Sequence, residues 1–130
     1  MGCLRTSVTA VCVVLAAPAA ADGAEGLLRQ FADCTGRYSA QVEHLWAVDG
    51  PASEQAARRR DLLADLTEAA MPRPDPDWTV RAMAWRIEAK AAQRQLLAQA
   101  AYGRAAADAD RARTLAQGFL GDCDRLLAGY

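Results

Sequence analysis

The sequence predicts an all-α fold, an antiparallel up-down-up-down four-helix bundle closed by one disulfide. Three observations carry this. Beyond residue 21 the chain is dominated by alanine, leucine and arginine, which favour helix, and β-branched residues are few. Its apolar residues recur at three- and four-residue steps in four stretches separated by turn signals. Of the chain's 4 cysteines, Cys34 and Cys123 alone lie past the amino-terminal leader.

The first stretch runs from about Ala24 to Val48, with Leu27, Phe31, Cys34, Tyr38, Val42 and Leu45 on one stripe. Gly36 sits inside it at some cost, and "DGP" (Asp49 to Pro51) ends it. The second runs from about Ala52 to Met71 and turns Leu62, Leu63, Leu66 and Ala70 inward. "PRPDP" (Pro72 to Pro76) stops it, because proline cannot continue the hydrogen-bond ladder and disfavours helix in the residue before it. The third has a marked start: Asp75 caps the free N–H groups, Pro76 suits the first helical position, and Asp77 complements the dipole. Its predicted inward stripe is Val80, Met83, Ala84, Ile87 and Ala91, extending toward Leu97. The fourth carries Leu115, Phe119, Cys123, Leu126 and Leu127.

Only Tyr102-Gly103 and a weakly hydrophobic "RAAADAD" (Arg104 to Asp110) separate the last two stretches. The cysteines decide whether the chain turns there. An even pair in an oxidising compartment forms a disulfide by default. Its Cα atoms must come within about 7 Å of each other. If residues 77–128 were one helix rising about 1.5 Å per residue, Cys123 would lie on the order of 65 Å from the end where Cys34 sits. A reversal between Gly103 and Asp110 brings Cys123 back beside Cys34, and an even number of long helices follows. The bridge closes a loop of roughly 90 residues, worth about 4–5 kcal/mol in the chain-entropy model. No second thiol stands in a C-x-x-C arrangement, so the bridge reads as a permanent staple.

Residues 1–21 read as a secretory signal peptide and 22–130 as the helical domain. Arg5 gives a positive start, "VTAVCVVLAAPA" (Val8 to Ala19) a short apolar run, and Ala19-Ala20-Ala21 a small-x-small cleavage site before Asp22. The run is shorter than the roughly 20 residues of a membrane span. Cys12 does not make a lipoprotein, since Val11 and Thr9 are the wrong residues before it and the apolar segment continues past it. The address this predicts is the periplasm. Arginine in place of lysine (Lys90 is the single lysine) and abundant alanine fit a GC-rich bacterial genome.

The full chain sets 15 Lys and Arg against 16 Asp and Glu, a net charge of −1. Such a balance gives no field to collect nucleic acid or an anionic membrane. Catalytic and cofactor groupings are equally thin. His44 is the only histidine, its neighbour Glu43 points elsewhere around the helix, and paired Glu-x-x-His motifs are absent, so no metal site is expected. A haem between His44 and methionine fails on topology. His44 lies about 15 Å along the axis from Cys34, whereas Met71 and Met83 fall at the cysteine end. Of the serines past the leader, Ser39 and Ser53, the first is expected to bond back to a carbonyl. No glycine-rich phosphate loop appears. The expectation is a protein that is not an enzyme and holds no cofactor.

Three features remain. "RRR" (Arg58 to Arg60) reads as a solvated face partnered by Asp61 and Glu54, with an acidic partner or anionic ligand as the sharper reading. In "WRIEAK" (Trp85 to Lys90), Trp85 reads as packing and Arg86, Glu88 and Lys90 as surface. The end opposite the disulfide gathers Glu43, His44, Trp46, Arg58, Tyr102, Arg104 and Asp108. Aromatic and arginine side chains together suit protein recognition, so this end is the candidate binding site.

The order C-x-G-R-x-S-A-x-x-E-H-x-W in "CTGRYSAQVEHLW" (Cys34 to Trp46) resembles small secreted helical proteins of Rhodobacter-like alphaproteobacteria, an uncharacterised group. "WRIEAK" and a cysteine near the carboxyl end are similar to that group too. The resemblance implies a bacterial periplasmic protein and brings no activity, ligand or catalytic residue. The function expected from the sequence is therefore binding of another periplasmic protein, as a monomer or homodimer. The alternative is a small-ligand or metal-binding bundle using Glu43 and His44.

Overall fold

The computed structural model describes residues 19–130 except Pro74, with side chains described from Gly23 onward. The signal-peptide reading of residues 1–21 falls for the most part outside these described residues. Four helices follow one another, α1 (Ala19–Trp46), α2 (Gly50–Ala69), α3 (Pro76–Tyr102) and α4 (Ala106–Leu127), and no strand occurs among the described residues. None of the described helices is long and apolar enough to cross a membrane.

The boundaries have local causes. Asp49 accepts a hydrogen bond from the Ala52 N–H at 3.0 Å, with Pro51 in the first turn, so α2 starts two residues before the sequence expectation. Asp75 caps α3 as expected, its side chain accepting from the Asp77 N–H at 2.9 Å. The break between α3 and α4 occupies Gly103 to Ala105. Ala105 gives α4 no side-chain cap, which is why the sequence marks that turn so faintly.

α1 is the central element, packed extensively on both α2 and α3, whereas α4 packs on α3 and meets α1 over a shorter stretch. The main core lies among α1, α2 and α4. Phe31, Cys34, Tyr38, Ala56, Leu63 and Cys123 form it, with Leu27, Val42, Leu45, Leu66 and Leu120 closing its margins. Cys34 and Cys123 are bonded, their Cα atoms 5.6 Å apart. Ser39 bonds back to the Thr35 carbonyl at 2.8 Å, as its mid-helix place predicts.

The contact between α1 and α3 is built from small residues instead. Ala32, Gly36 and Ala40 are buried on α1, and Ala82 and Ala89 on α3. A Cβ at residue 36 would collide with the Arg86 carbonyl oxygen and stand 3.0 Å from the Lys90 nitrogen. Gly36 is therefore the point of closest backbone approach.

This seam overturns the predicted orientation of α3. Val80, Met83 and Ile87, expected inward, are 68%, 51% and 59% exposed, and Ala84 and Ala91 are exposed with them. The cause is steric. Beside Gly36 there is room for alanine and none for valine or isoleucine, so the alanine face turns in and the bulkier face turns out. Leu62 is also half-exposed, because adjacent leucines cannot both face inward and Leu63 takes the core position. On α4 the buried positions are Ala112, Ala116 and Cys123, which leaves Leu115 and Phe119 at the surface. The Arg37 guanidinium lies over the Phe119 ring, 3.8 Å from its centroid.

Candidate functional site

The charged groups nearest the core already have partners. The Tyr38 hydroxyl donates to the Asp124 carboxylate. Arg59 donates to the same hydroxyl at 3.3 Å and pairs with Asp124 at 3.4 Å. Burial, reinforced by the adjacent Asp124, pushes the Tyr38 phenol up to about 12. Its proton is held for Asp124, so Tyr38 ties α1 to α4 and is not poised as an acid. Burial likewise lowers the affinity of Arg37 for its proton, which nearby Asp33 partly restores. Arg37 donates to Gln93 at 3.3 Å, and fully buried Gln93 donates on to the Ala116 carbonyl at 3.1 Å. Sequence reading missed Gln93; its one signal was a place four residues after Ala89.

Of "RRR", Arg60 pairs with Asp61 and Arg59 with Asp124 across helices, whereas Arg58 is exposed. Trp85 is half-buried, flanked by the cations of Arg29 and Arg81 at 5.6 and 5.3 Å from its ring centroid.

The candidate end divides into separate places. Glu43 accepts from Lys90 and lies 3.8 Å from Arg94. Glu43, His44 and Tyr102 share a shallow groove between α1 and α3 with Arg94 and Leu97. Arg104 belongs to a different groove at the α3–α4 turn, beside Asp108 and Arg111. Trp46, 81% exposed, and Arg58 line neither of these two. Among the described residues, no three His, Cys, Asp or Glu side chains converge as a metal site would require.

The outer face of α3 is the larger feature. Val80, Ala84, Ile87, Ala91, Arg94 and Ala98 follow one another at alternating steps of four and three, and all are exposed. That is the spacing that helix-pairing repeats use, with alanine at every seventh position. Val80, Ala84, Ile87 and Ala91 of this stripe are the residues that the sequence predicts to face inward.

Two more concavities are built in. At the disulfide end a pocket of about 150 Å³ is lined by Thr35, Thr67, Thr79, Glu68 and Arg86. Thr35 and Thr67 there donate back to the Phe31 and Leu63 carbonyls at 2.8 and 2.7 Å, so their hydroxyl protons are engaged. Farther along, a crevice opens between α1 and the middle of α4. Gln41, Leu45, Gln117 and Leu120 line both of its mouths. The Gln41 side-chain oxygen Oε1 is buried there without a hydrogen-bond partner.

No protein-family model matches the sequence, and neither a curated protein nor a solved structure matches it.

Proposed function

We propose that this chain is a secreted, non-enzymatic helical protein of the periplasm that binds another protein through the outer face of α3. The carrying observation is the orientation of that helix: Val80, Met83 and Ile87 face solvent while Ala82 and Ala89 are buried toward α1. An exposed stripe with a 3.5-residue repeat fits an amphipathic helix laid along it. The partner helix would present an apolar seam and an acidic residue opposite Arg94, whose side chain is 67% exposed and has Glu43 at 3.8 Å as its ion-pair partner. Tyr102, 85% exposed on the same helix, extends the surface toward the end with Glu43 and His44.

The antiparallel up-down-up-down arrangement belongs to this reading. It is supported between α1 and α2 by Ser53 bonding to the Val42 carbonyl and Thr35 meeting Thr67. Gln93 bonding to Ala116 and Arg113 to the Ala100 carbonyl support it between α3 and α4. Export is supported by the leader pattern and by the Cys34–Cys123 bridge, since disulfides persist in oxidising compartments.

Photocrosslinking in the periplasm tests the binding surface. A photoreactive residue placed at position 83 or 87 should give one discrete heavier product, lost on Arg94→Glu and absent when the probe is at position 58 on α2. Equal labelling from all three positions, or none from 83 and 87, would reject this surface.

A further inference from the structure

We infer that the crevice beneath the middle of α4 binds a small neutral molecule that carries an N–H or O–H donor on an apolar body. The site is distinct from the outer face of α3 and rests on different observations.

α4 is fastened in two places. Near its carboxyl end the Cys34–Cys123 bridge and the Tyr38–Asp124 hydrogen bond hold it to α1. Gln93 and Arg113 hold it to α3 through the Ala116 and Ala100 carbonyls. Beyond Tyr38, toward the carboxyl end of α1, the space between α1 and α4 stays open on both sides. The mouth facing α2 has a volume of about 290 Å³ and the mouth facing α3 about 350 Å³. Each is large enough for a bicyclic aromatic molecule.

The lining sets the chemistry. Gln41 Oε1 is a buried acceptor with no donor, and a buried polar atom left so is costly. The phenolic and guanidinium donors around it are committed elsewhere, and the Gln55 and Gln117 amides that also line the mouths do not donate to it. Tyr38 donates to Asp124, Arg59 to Tyr38 and Asp124, and Arg113 to Asp110 at 2.5 Å and to the Ala100 carbonyl. An incoming N–H or O–H would complete Gln41. The cations at the mouths are matched: Arg59 pairs with Asp124 and Arg113 with Asp110. That balance leaves no excess charge to hold an anion or a cation, which makes the ligand neutral. Leu45, Leu97 and Leu120 supply apolar wall for its body. This moves the small-ligand reading away from His44 and Glu43, because Glu43 is already engaged by Lys90.

The test compares two probes on the oxidised full-length domain. Indole carries the N–H donor, and 1-methylindole has the same body without it. In heteronuclear NMR titrations indole should shift the Gln41 side-chain amide and the Leu45 and Leu120 methyls. 1-Methylindole should bind about tenfold more weakly, the loss expected when a buried acceptor stays unpaired. Gln41→Met should bring the two probes to within about twofold of each other by removing that acceptor. Equal affinity of the two probes for the parent protein overturns the assignment, as do shifts confined to other surfaces. Absence of binding by either probe up to their solubility also overturns it, an ordered water then being the whole complement of Gln41. The comparison on the parent protein decides the matter even if the variant does not fold.

Discussion

α1 makes two kinds of contact, and they obey different rules. Toward α2 and α4 it presents Phe31, Cys34 and Tyr38, which interdigitate with Leu63, Ala56 and Cys123. Toward α3 it presents Ala32, Gly36 and Ala40, which let the two backbones come together. The first contact is stabilised by apolar area removed from water. The second is governed by how close the helices can come, so adding an atom matters more than removing one. A large residue is therefore a good guide to the core on one side of α1 and a poor one on the other.

The largest effects should fall on the large-residue side. Removing the bridge with Cys34→Ala and Cys123→Ala should lower stability by about 4 kcal/mol in urea titrations, because a long loop is released in the unfolded chain. Leu63→Ala should cost about 3–5 kcal/mol, since a fully buried leucine leaves a cavity. Losses below ~1 kcal/mol for either would mean that the core among α1, α2 and α4 is not what holds the molecule together.

Gly36→Ala examines the seam itself. The added methyl meets the Arg86 carbonyl, and separating the two helices should cost about 2–3 kcal/mol. Gly118→Ala on α4 adds the same methyl where nothing lies within 4 Å and should stabilise by up to about 1 kcal/mol, the ordinary helix preference. If both substitutions stabilise, the close approach at Gly36 is wrong.

These residues also mark what the sequence made legible. The four helices, the Asp75 cap, the Ser39 back-bond and the Cys34–Cys123 pairing depend on local chemistry or on chain topology, and all could be read in advance. Gly36 could not, because its value depends on a backbone fifty residues away. The facing of α3 could not, because both of its faces carry apolar residues: Ala82 and Ala89 on one, Val80, Met83 and Ile87 with further alanines on the other. Ranking faces by hydrophobicity selects the second, and the space beside Gly36 selects the first. Part of the candidate end was legible, since Glu43, His44 and Tyr102 do share a groove. Gln41, at stripe spacing between Tyr38 and Leu45, was hidden because a half-buried glutamine has no signature of its own.

Tyr38 links the core to α4 through a single polar contact. Its folded phenol titrates at about 12, above the ordinary value of 10.0. The fold thus favours the neutral form. Its contribution is complete below pH 10 and is lost as pH rises through about 12. Tyr38→Phe should cost about 1 kcal/mol at neutral pH by removing one hydrogen bond to a half-exposed carboxylate. It should also flatten the fall in stability between pH 10 and pH 12, measured as the difference between the two proteins' melting curves. An unchanged alkaline slope would place the phenol in water.

The smallest effect is the most informative for α3. Ile87 is larger than any buried side chain of that helix, yet it is 59% exposed. A core isoleucine replaced by lysine would leave a buried charge and unfold most small domains. At Ile87 the charge enters water instead, so Ile87→Lys should change stability by less than about 0.5 kcal/mol. Ala89→Lys, two residues on and on the opposite face, should be severely destabilising because Ala89 is buried. A large loss at Ile87 with tolerance at Ala89 would reverse the orientation of α3. It would remove the exposed stripe on which partner binding rests and return that stripe to the core.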